Sequence, residues 1–376
     1  MQKNTVAVLD VGSSKISLIV AERGLNNSVI IKSSSRVNYS GFGNGEFINA
    51  EEVPKCLHAL VEKAEAEIRS KLTKIYVGVP CDFITSYCKL FKISLNKKRK
   101  ITEDDIDKLY DAAYKVKDGD YKLIARSAVN FTVDGNRKVS SPKGLVSETL
   151  GGMLTFYLAN GSFLQLFGSE LKGLGIELEY LPTNLAETLY LFESFERDKG
   201  GILIDIGYVS SAFTFYLGDG VIYSNNFTLG GGTITFALHE HFKEKLGSKF
   251  TFSAAEELKR MINIGYVSFD GACYGFESNG ENFEIPVEEA NKVVKDELED
   301  ISHEISKCIE NGASGYKGTL NVYITGGGIA YIRGAKEYLS NRLGVIVKTI
   351  APKLPLMDKP VNSSALSLID LALKKS

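Results

Sequence analysis

The stretch Val6-Ala-Val-Leu-Asp-Val-Gly-Ser-Ser-Lys-Ile-Ser-Leu-Ile-Val20 opens with an apolar run, Val6 to Leu9, that reads as a buried strand. Asp10 and a small polar turn at Gly12, Ser13 and Ser14 follow it. Beyond the turn Ile16, Leu18 and Val20 are apolar while Lys15 and Ser17 are polar. That is period two, so the chain continues as a second strand and not as a helix. A P-loop or dinucleotide fingerprint needs a helix here, with its N-terminus turned to the phosphate. The stretch is instead a hairpin with an acid at its tip. Small residues let backbone N–H groups face an anion, and Asp10 can hold a hydrated magnesium ion beside it.

The same device returns at Gly201-Ile-Leu-Ile-Asp205-Ile-Gly207-Tyr-Val-Ser-Ser211, where Phe213, Phe215 and Leu217 then alternate with Thr214 and Tyr216. Two such hairpins predict a duplicated fold with a ligand clamped between its halves. A third glycine signal lies at Gly326, Gly327 and Gly328, between a strand at 320–325 and a helix expected at 329–339. Glycines there leave room for something flat, and a helix N-terminus offers free N–H groups. The three signals together point to a nucleotide.

At 376 residues the chain is too long for one ordinary core. Its composition is that of a globular protein, and a net charge of −2 gives no reason to expect nucleic acid as a partner. Five cysteines without CxxC spacing suggest neither a disulfide framework nor a zinc site, and fit a reducing cytosol. Met1-Gln-Lys-Asn is followed by no signal-peptide core, and no run reaches membrane-spanning length.

Taken in order, an exposed glycine-rich loop at 40–46 precedes a helix with Asn49 as cap and Glu52 as its capping-box partner. Val53, Leu57, Leu60, Val61, Ala64 and Ile68 share one face of that helix. From about Lys74 come strands at 75–79 and 87–95, then the basic run Lys97 to Lys100, read as a solvated loop. A helix opened by Thr102 and Asp105 and strands at 125–133 and 153–158 complete a compact unit. Helices are expected at 163–174 and 182–195. In the second half Gly230, Gly231 and Gly232 open a helix running to Leu246, where they are either further donors to the site or a plain tight turn. Glu256 stands three residues after Ser253, which fits a capping box; it also fits a ribose contact, with Lys259 one turn further on the same face. A long helix is expected at 288–309, and a last helix at 363–373 reads as a core helix and not a membrane anchor.

Two phosphate hairpins, a strand–glycine–helix adenosine signal and an inserted unit resemble the actin-like ATPase superfamily. Within it the chain is similar to the FtsA family of bacterial cell-division proteins, on Asn130-Phe-Thr-Val-Asp-Gly135, Ser141-Pro-Lys-Gly144, and Leu171 to Leu181 with Gly173 and Gly175. The resemblance implies an α/β fold of duplicated actin-like (ribonuclease H-like) domains, with a small inserted α+β subdomain in the first half and a helix-and-strand lobe in the second. The expected boundaries are 1–80 with 160–198, the insertion at 81–159, 199–232 with 319–376, and the accessory lobe at 233–318. The resemblance places Asp10, Gly12, Ser13, Ser14 and Lys15 in the first phosphate motif. It places Asp205, Gly207 and Ser210 in the second, and Gly326, Gly327 and Gly328 in the adenosine motif. Gly231, Gly232, Glu256 and Lys259 match positions that approach the nucleotide. The implied ligands are ATP and magnesium, the metal held through water by Asp10 and Asp205. The implied partners are further copies of the chain, in filaments, and the tubulin-like protein FtsZ, at the division site on the inner face of the membrane.

The chain departs from the pattern at three places. Tyr208, Val209 and Ala212 make the second hairpin bulkier and remove a carboxylate. Leu181 stands where an acid would precede Pro182, and Glu187, the nearby carboxylate, reads as a solvated helix position. Hydrolysis is therefore expected to be slow or absent. The family's C-terminal amphipathic helix has no counterpart before Ser376, so either the sequence stops short of it or membrane association is expected through partners. Two other readings share the actin-like core. One is a cytosolic scaffold of type IV pili resembling PilM; the other is a sugar kinase, which needs a catalytic aspartate that does not stand out.

Overall fold

In the computed structural model, which describes residues 5–25, 28–115, 119–265 and 269–376, β1 (Thr5–Val11) and β2 (Lys15–Arg23) form the expected hairpin. Val11 lies opposite Ile16 on the face that carries one core, while Val6, Val8 and Ile19 face a second core on the other side. β3 (Val29–Asn38) extends the sheet antiparallel to β2. The glycine-rich loop is not exposed throughout. It folds into a small ribbon, β4 (Phe42–Gly43) and β5 (Glu46–Phe47), because Phe42 is buried against Phe47 and Phe83. α1 (Glu52–Ile68) buries the apolar face its pattern requires. The Asn49–Glu52 capping box does not form; Glu52 accepts from the N–H and Oγ of Ser40, at 2.7 and 2.9 Å, and so ties the helix start to the ribbon. β6 (Lys74–Val79) then runs parallel to β1.

The inserted unit comprises β7 (Ile84–Lys100), α2 (Glu103–Ala113), β8 (Tyr121–Val133), β9 (Arg137–Val139) and β10 (Val146–Asn160). Its four strands are antiparallel in the order β7-β10-β8-β9. Thr102 and Asp105 form the expected capping box of α2, and Arg99 closes on both Asp105 oxygens at 2.6 Å. The basic run is thus not a loop. It ends β7, a strand at the sheet edge, where lysines discourage pairing with a foreign strand.

The chain returns through α3 (Gly161–Gly173) and β11 (Glu177–Pro182) to α4 (Thr183–Leu191) and α5 (Ser194–Arg197). One helix was expected over 182–195. It breaks where Phe192 turns out to stack on Tyr216, 4.7 Å between ring centres, and Glu193 caps the short second helix.

The second half opens with β12 (Gly201–Ile206), β13 (Ser211–Leu217) and β14 (Gly220–Phe227). α6 (Gly231–Leu246), α7 (Phe252–Met261), the ribbon β15 (Cys273–Ser278) and β16 (Glu281–Pro286), and α8 (Val287–Ala313) build the accessory lobe. β17 (Val322–Thr325), α9 (Ala335–Leu343) and β18 (Val347–Thr349) complete the sheet. The two large sheets read β3-β2-β1-β6-β11 and β14-β13-β12-β17-β18, with the same parallel and antiparallel pairings, so the fold is duplicated.

Two expectations change near the C-terminus. The helix after the triple glycine starts at Ala335 and not at Ile329, because Ile329 and Ile332 are buried in a turn that precedes it. α10 (Ser363–Lys375), grouped by sequence with the second half, packs on the first sheet against Val6, Val8, Ile19 and Ala186. Met1-Gln-Lys-Asn lies outside the described residues, and no helix among those described is long and apolar enough to cross a membrane.

Candidate functional site

Both hairpin tips close in the same way: the Gly12 N–H donates to the Lys15 carbonyl at 2.9 Å, and the Gly207 N–H to the Ser210 carbonyl at 3.1 Å. The tips meet. Ser13 Oγ accepts from the N–H of Val209 at 3.1 Å and that of Ser210 at 3.5 Å. A Cβ at Gly207 would stand 2.5 Å from the Ser210 carbonyl oxygen and 3.2 Å from Ser13 Oγ, so the approach depends on glycine. The N–H groups of Ser13 and Ser14 have no backbone acceptor among the described residues. Ser13 and Ser14 line a cleft of about 760 Å³ between the halves.

Of the residues singled out by sequence, Asp10, Gly12, Ser13, Ser14, Lys15, Asp205, Gly207, Glu256, Lys259, Gly326 and Gly327 line this cleft. Ser210 lies beneath, in a smaller chamber of about 90 Å³. Gly231, Gly232 and Gly328 serve the framework. Gly231 and Gly232 donate their N–H groups to the carbonyls of Gly207 and Tyr208, and Gly328 donates to Ile206 at 2.7 Å. A Cβ on Gly328 would reach 2.2 Å from the Gly207 oxygen, and one on Gly326 2.1 Å from Asp205 Oδ1. The turn after β17 therefore abuts the second hairpin with no side chain between.

The capping box at Ser253 and Glu256 is absent, because α7 starts earlier and Thr251 caps it. Glu256 Oε2 accepts instead from Thr235 Oγ1 and Lys259 Nζ, both at 2.7 Å. Lys259 also donates to the Gly231 carbonyl at 2.8 Å and lies over the Tyr208 ring. Burial lowers the ammonium's pKa, and Glu256 opposes that shift. This network locks the start of α6 to α7 at the cleft wall.

Beneath the hairpins lie four carboxyls. Asp10 accepts from Ser364 Oγ at 2.7 Å; burial raises its pKa, while Ser364 and Lys15 pull it down. Asp205 is pushed up to about 6, chiefly by burial and then by Asp10. Glu187 was read as solvated and is the opposite. It is 2% exposed, its pKa lies well above the usual range through burial and the neighbouring charge of Asp205, and in its protonated form it donates to Asp205. The turn from β11 into α4 points it inward. Its Oε1 and the nearby Asn184 Nδ2 have no partner in the chamber they line. Asp82, pushed up to about 6 by burial, accepts from Ser210 Oγ at 2.8 Å and Asn226 Nδ2 at 3.2 Å. A carboxylate missing from the second hairpin's own sequence thus has a counterpart in the turn between β6 and β7. Among the described residues no three His, Cys, Asp or Glu side chains are set to ligate a metal directly.

Sequence reasoning missed Asp82, Asn184 and Ser364, along with Arg36, Tyr39, Phe252 and Tyr331 in the cleft wall, and it named Glu187 and Tyr208 without placing them in the site. Tyr39 donates from its hydroxyl to the Gly12 carbonyl at 2.8 Å. Alternation along β3 was a usable signal for Arg36, whereas nothing local distinguished Ser364.

The comparisons agree with this architecture. Residues 84–157 match the family described as the SHS2 domain inserted in FtsA. The chain is similar to cell division protein FtsA of Neisseria meningitidis serogroup B, 23% identical over 99% of this chain and 91% of that protein. It is 24% identical to cell division protein FtsA of Borreliella burgdorferi over 65% of this chain, an alignment spanning 60% of that protein's length. Among solved structures, a PilM–PilN type IV pilus biogenesis complex matches with a TM-score of 0.63, at 16% identity over 99% of both chains. MreB5 of Spiroplasma citri bound to AMPPNP matches with a TM-score of 0.59, at 12% identity over 100% of this chain and 98% of that one.

Proposed function

Because this chain is a relative of the bacterial cell-division protein FtsA built on the actin-like fold, we propose that it is an ATP-binding division scaffold that self-associates and links FtsZ to the division site. The observation that carries the nucleotide part is the meeting of two glycine hairpins at the cleft floor, where Ser13 and Ser14 line the cleft and their N–H groups have no backbone acceptor among the described residues. Phosphates sit against those donors and Lys15. The base lies between the Gly326–Gly327 wall and α7, where Tyr208 and Phe252 offer flat surface and Glu256 a ribose acceptor. The carboxyl set fits a hydrated magnesium ion: Asp10 and Asp205 are too few for a bare-ion cage and suited to hold its waters. Magnesium supplies charge neutralisation for the phosphates, and its positive charge offsets the crowding that raises Asp205.

The division part rests on the inserted-domain match and on relatives that cover nearly the whole chain. The test is co-sedimentation with filaments of the host's FtsZ in Mg·ATP. Pelleting that disappears when the FtsZ tail is removed is the expected result. Absence of association in every nucleotide state overturns the FtsZ role, and capture of a membrane-protein peptide in its place moves the chain to a PilM-like scaffold.

A further inference from the structure

Arg36 is a cation that neither phosphate motif contains. Cross-strand pairing puts Asp10, Ser17 and Arg36 in one row across β1, β2 and β3, hence on one face of the sheet. Lys15 and Asn38 form the next row of that face, so Lys15 and Arg36 are diagonal neighbours within reach of one another. Both line the cleft, and neither has an ion-pair partner within 4.0 Å among the described residues. The other basic residues of the wall are spoken for: Lys259 and Arg260 both close on Glu256. Lys15 is half-buried and Arg36 stands exposed at the rim of the same cleft; two neighbouring like charges without an ion-pair partner favour an anion between them.

We infer that Arg36 and Lys15 form a two-cation clamp that reads the polyphosphate of the bound ligand, with Arg36 supplying a planar fork to phosphate oxygens. This rests on the nucleotide reading above and adds a specificity-determining residue to it. A guanidinium binds phosphate oxygens two at a time, whereas lysine acts as a point charge. Arg36 therefore favours ligands with a phosphate chain over the nucleoside, and its loss falls on phosphates and spares the base.

The test uses the full chain with Mg·ATP, tripolyphosphate and adenosine as separate probes, in calorimetry at several salt concentrations. Arg36→Ala is expected to weaken Mg·ATP and tripolyphosphate about tenfold or more and to flatten their salt dependence, with adenosine unchanged. Arg36→Lys is expected to restore the salt dependence but only part of the affinity. If the unmodified chain binds Mg·ATP and Arg36→Ala binds it equally well, the clamp is wrong. Equal weakening of adenosine and tripolyphosphate also overturns it, since that is what a general structural defect produces. If the unmodified chain binds none of the probes, the nucleotide reading itself fails.

Discussion

Asp10 and Asp82 show how position converts one residue type into two tasks. Asp10 stands next to last in β1 before the hairpin tip, lines the cleft, accepts from the Ser364 hydroxyl and lies near Lys15, so its carboxylate is available to a hydrated cation. Asp10→Ala is expected to weaken Mg·ATP by about tenfold or more in calorimetry, since charge-assisted contacts are the strong ones; unchanged affinity removes Asp10 from the site. Asp82 works between the halves, accepting from Ser210 and Asn226. Its pKa rises from 3.8 to about 6 through burial. The folded state therefore keeps a proton that the unfolded state releases from about pH 4 upward. Stability falls as pH rises between about 4 and about 6, by up to roughly 3 kcal/mol, and stays reduced above that range. Asp82→Asn is expected to flatten this window and to be more stable than the parent at pH 8. Urea titrations at pH 4.5 and pH 8 check this, and a slope equal to the parent's contradicts it.

At the scale of elements, α10 decides whether the first half is covered. Its apolar stripe was legible in the sequence, because Leu366, Ile369 and Leu373 recur at helical spacing. Its seat was not, since nothing local says which of two sheets it will cover. Leu368 is fully buried and would meet a Cβ at Gly78 at 2.4 Å, which shows how closely the helix lies on β6. Leu368→Ala is expected to cost about 2–5 kcal/mol in chemical denaturation. A loss below 1 kcal/mol means the helix is loosely docked. The capping boxes teach a related lesson. Thr102 and Asp105 behave as their spacing dictates, whereas Glu52 and Glu256 leave their local caps for Ser40 and for Thr235 with Lys259. A charged partner or a loop donor brought in by folding outweighs a box worth about 1 kcal/mol.

For the whole molecule, the consequence of duplication is a cleft whose walls belong to different halves. The direct ties at its floor are Ser13 to the second hairpin and Asp82 to Ser210 and Asn226. A ligand that touches both hairpins adds its binding energy to the association of the halves. Saturating Mg·ATP, at about a thousand times its dissociation constant, is expected to stabilise the fold by roughly 4 kcal/mol. The check is a melting curve with and without nucleotide, and an unshifted transition argues against a nucleotide in the cleft. The inserted sheet carries α2 and is tied to the second half as well, since Thr155 Oγ1 donates to the Val221 carbonyl at 2.8 Å and the Val221 N–H to Tyr157 Oη at 3.2 Å; lysines at the end of its edge strand disfavour pairing with other sheets.

The sequence alone determined the hairpins, the duplication they imply, the glycine turns and the inserted unit, because each is a short-range pattern of period, turn chemistry or capping. It did not reveal the chamber beneath the hairpins. Ser210 meets Asp82 across 128 residues and Asp10 meets Ser364 across 354, so no local spacing encodes either contact. Glu187 is the sharpest case. On its own helix it reads as a solvated acid, and only the packing of α4 beneath both hairpins buries it against Asp205. Period and turn chemistry act within a few residues. Desolvation, pKa and the pairing of distant charges are set by which surfaces meet, and that was decided by the tertiary structure.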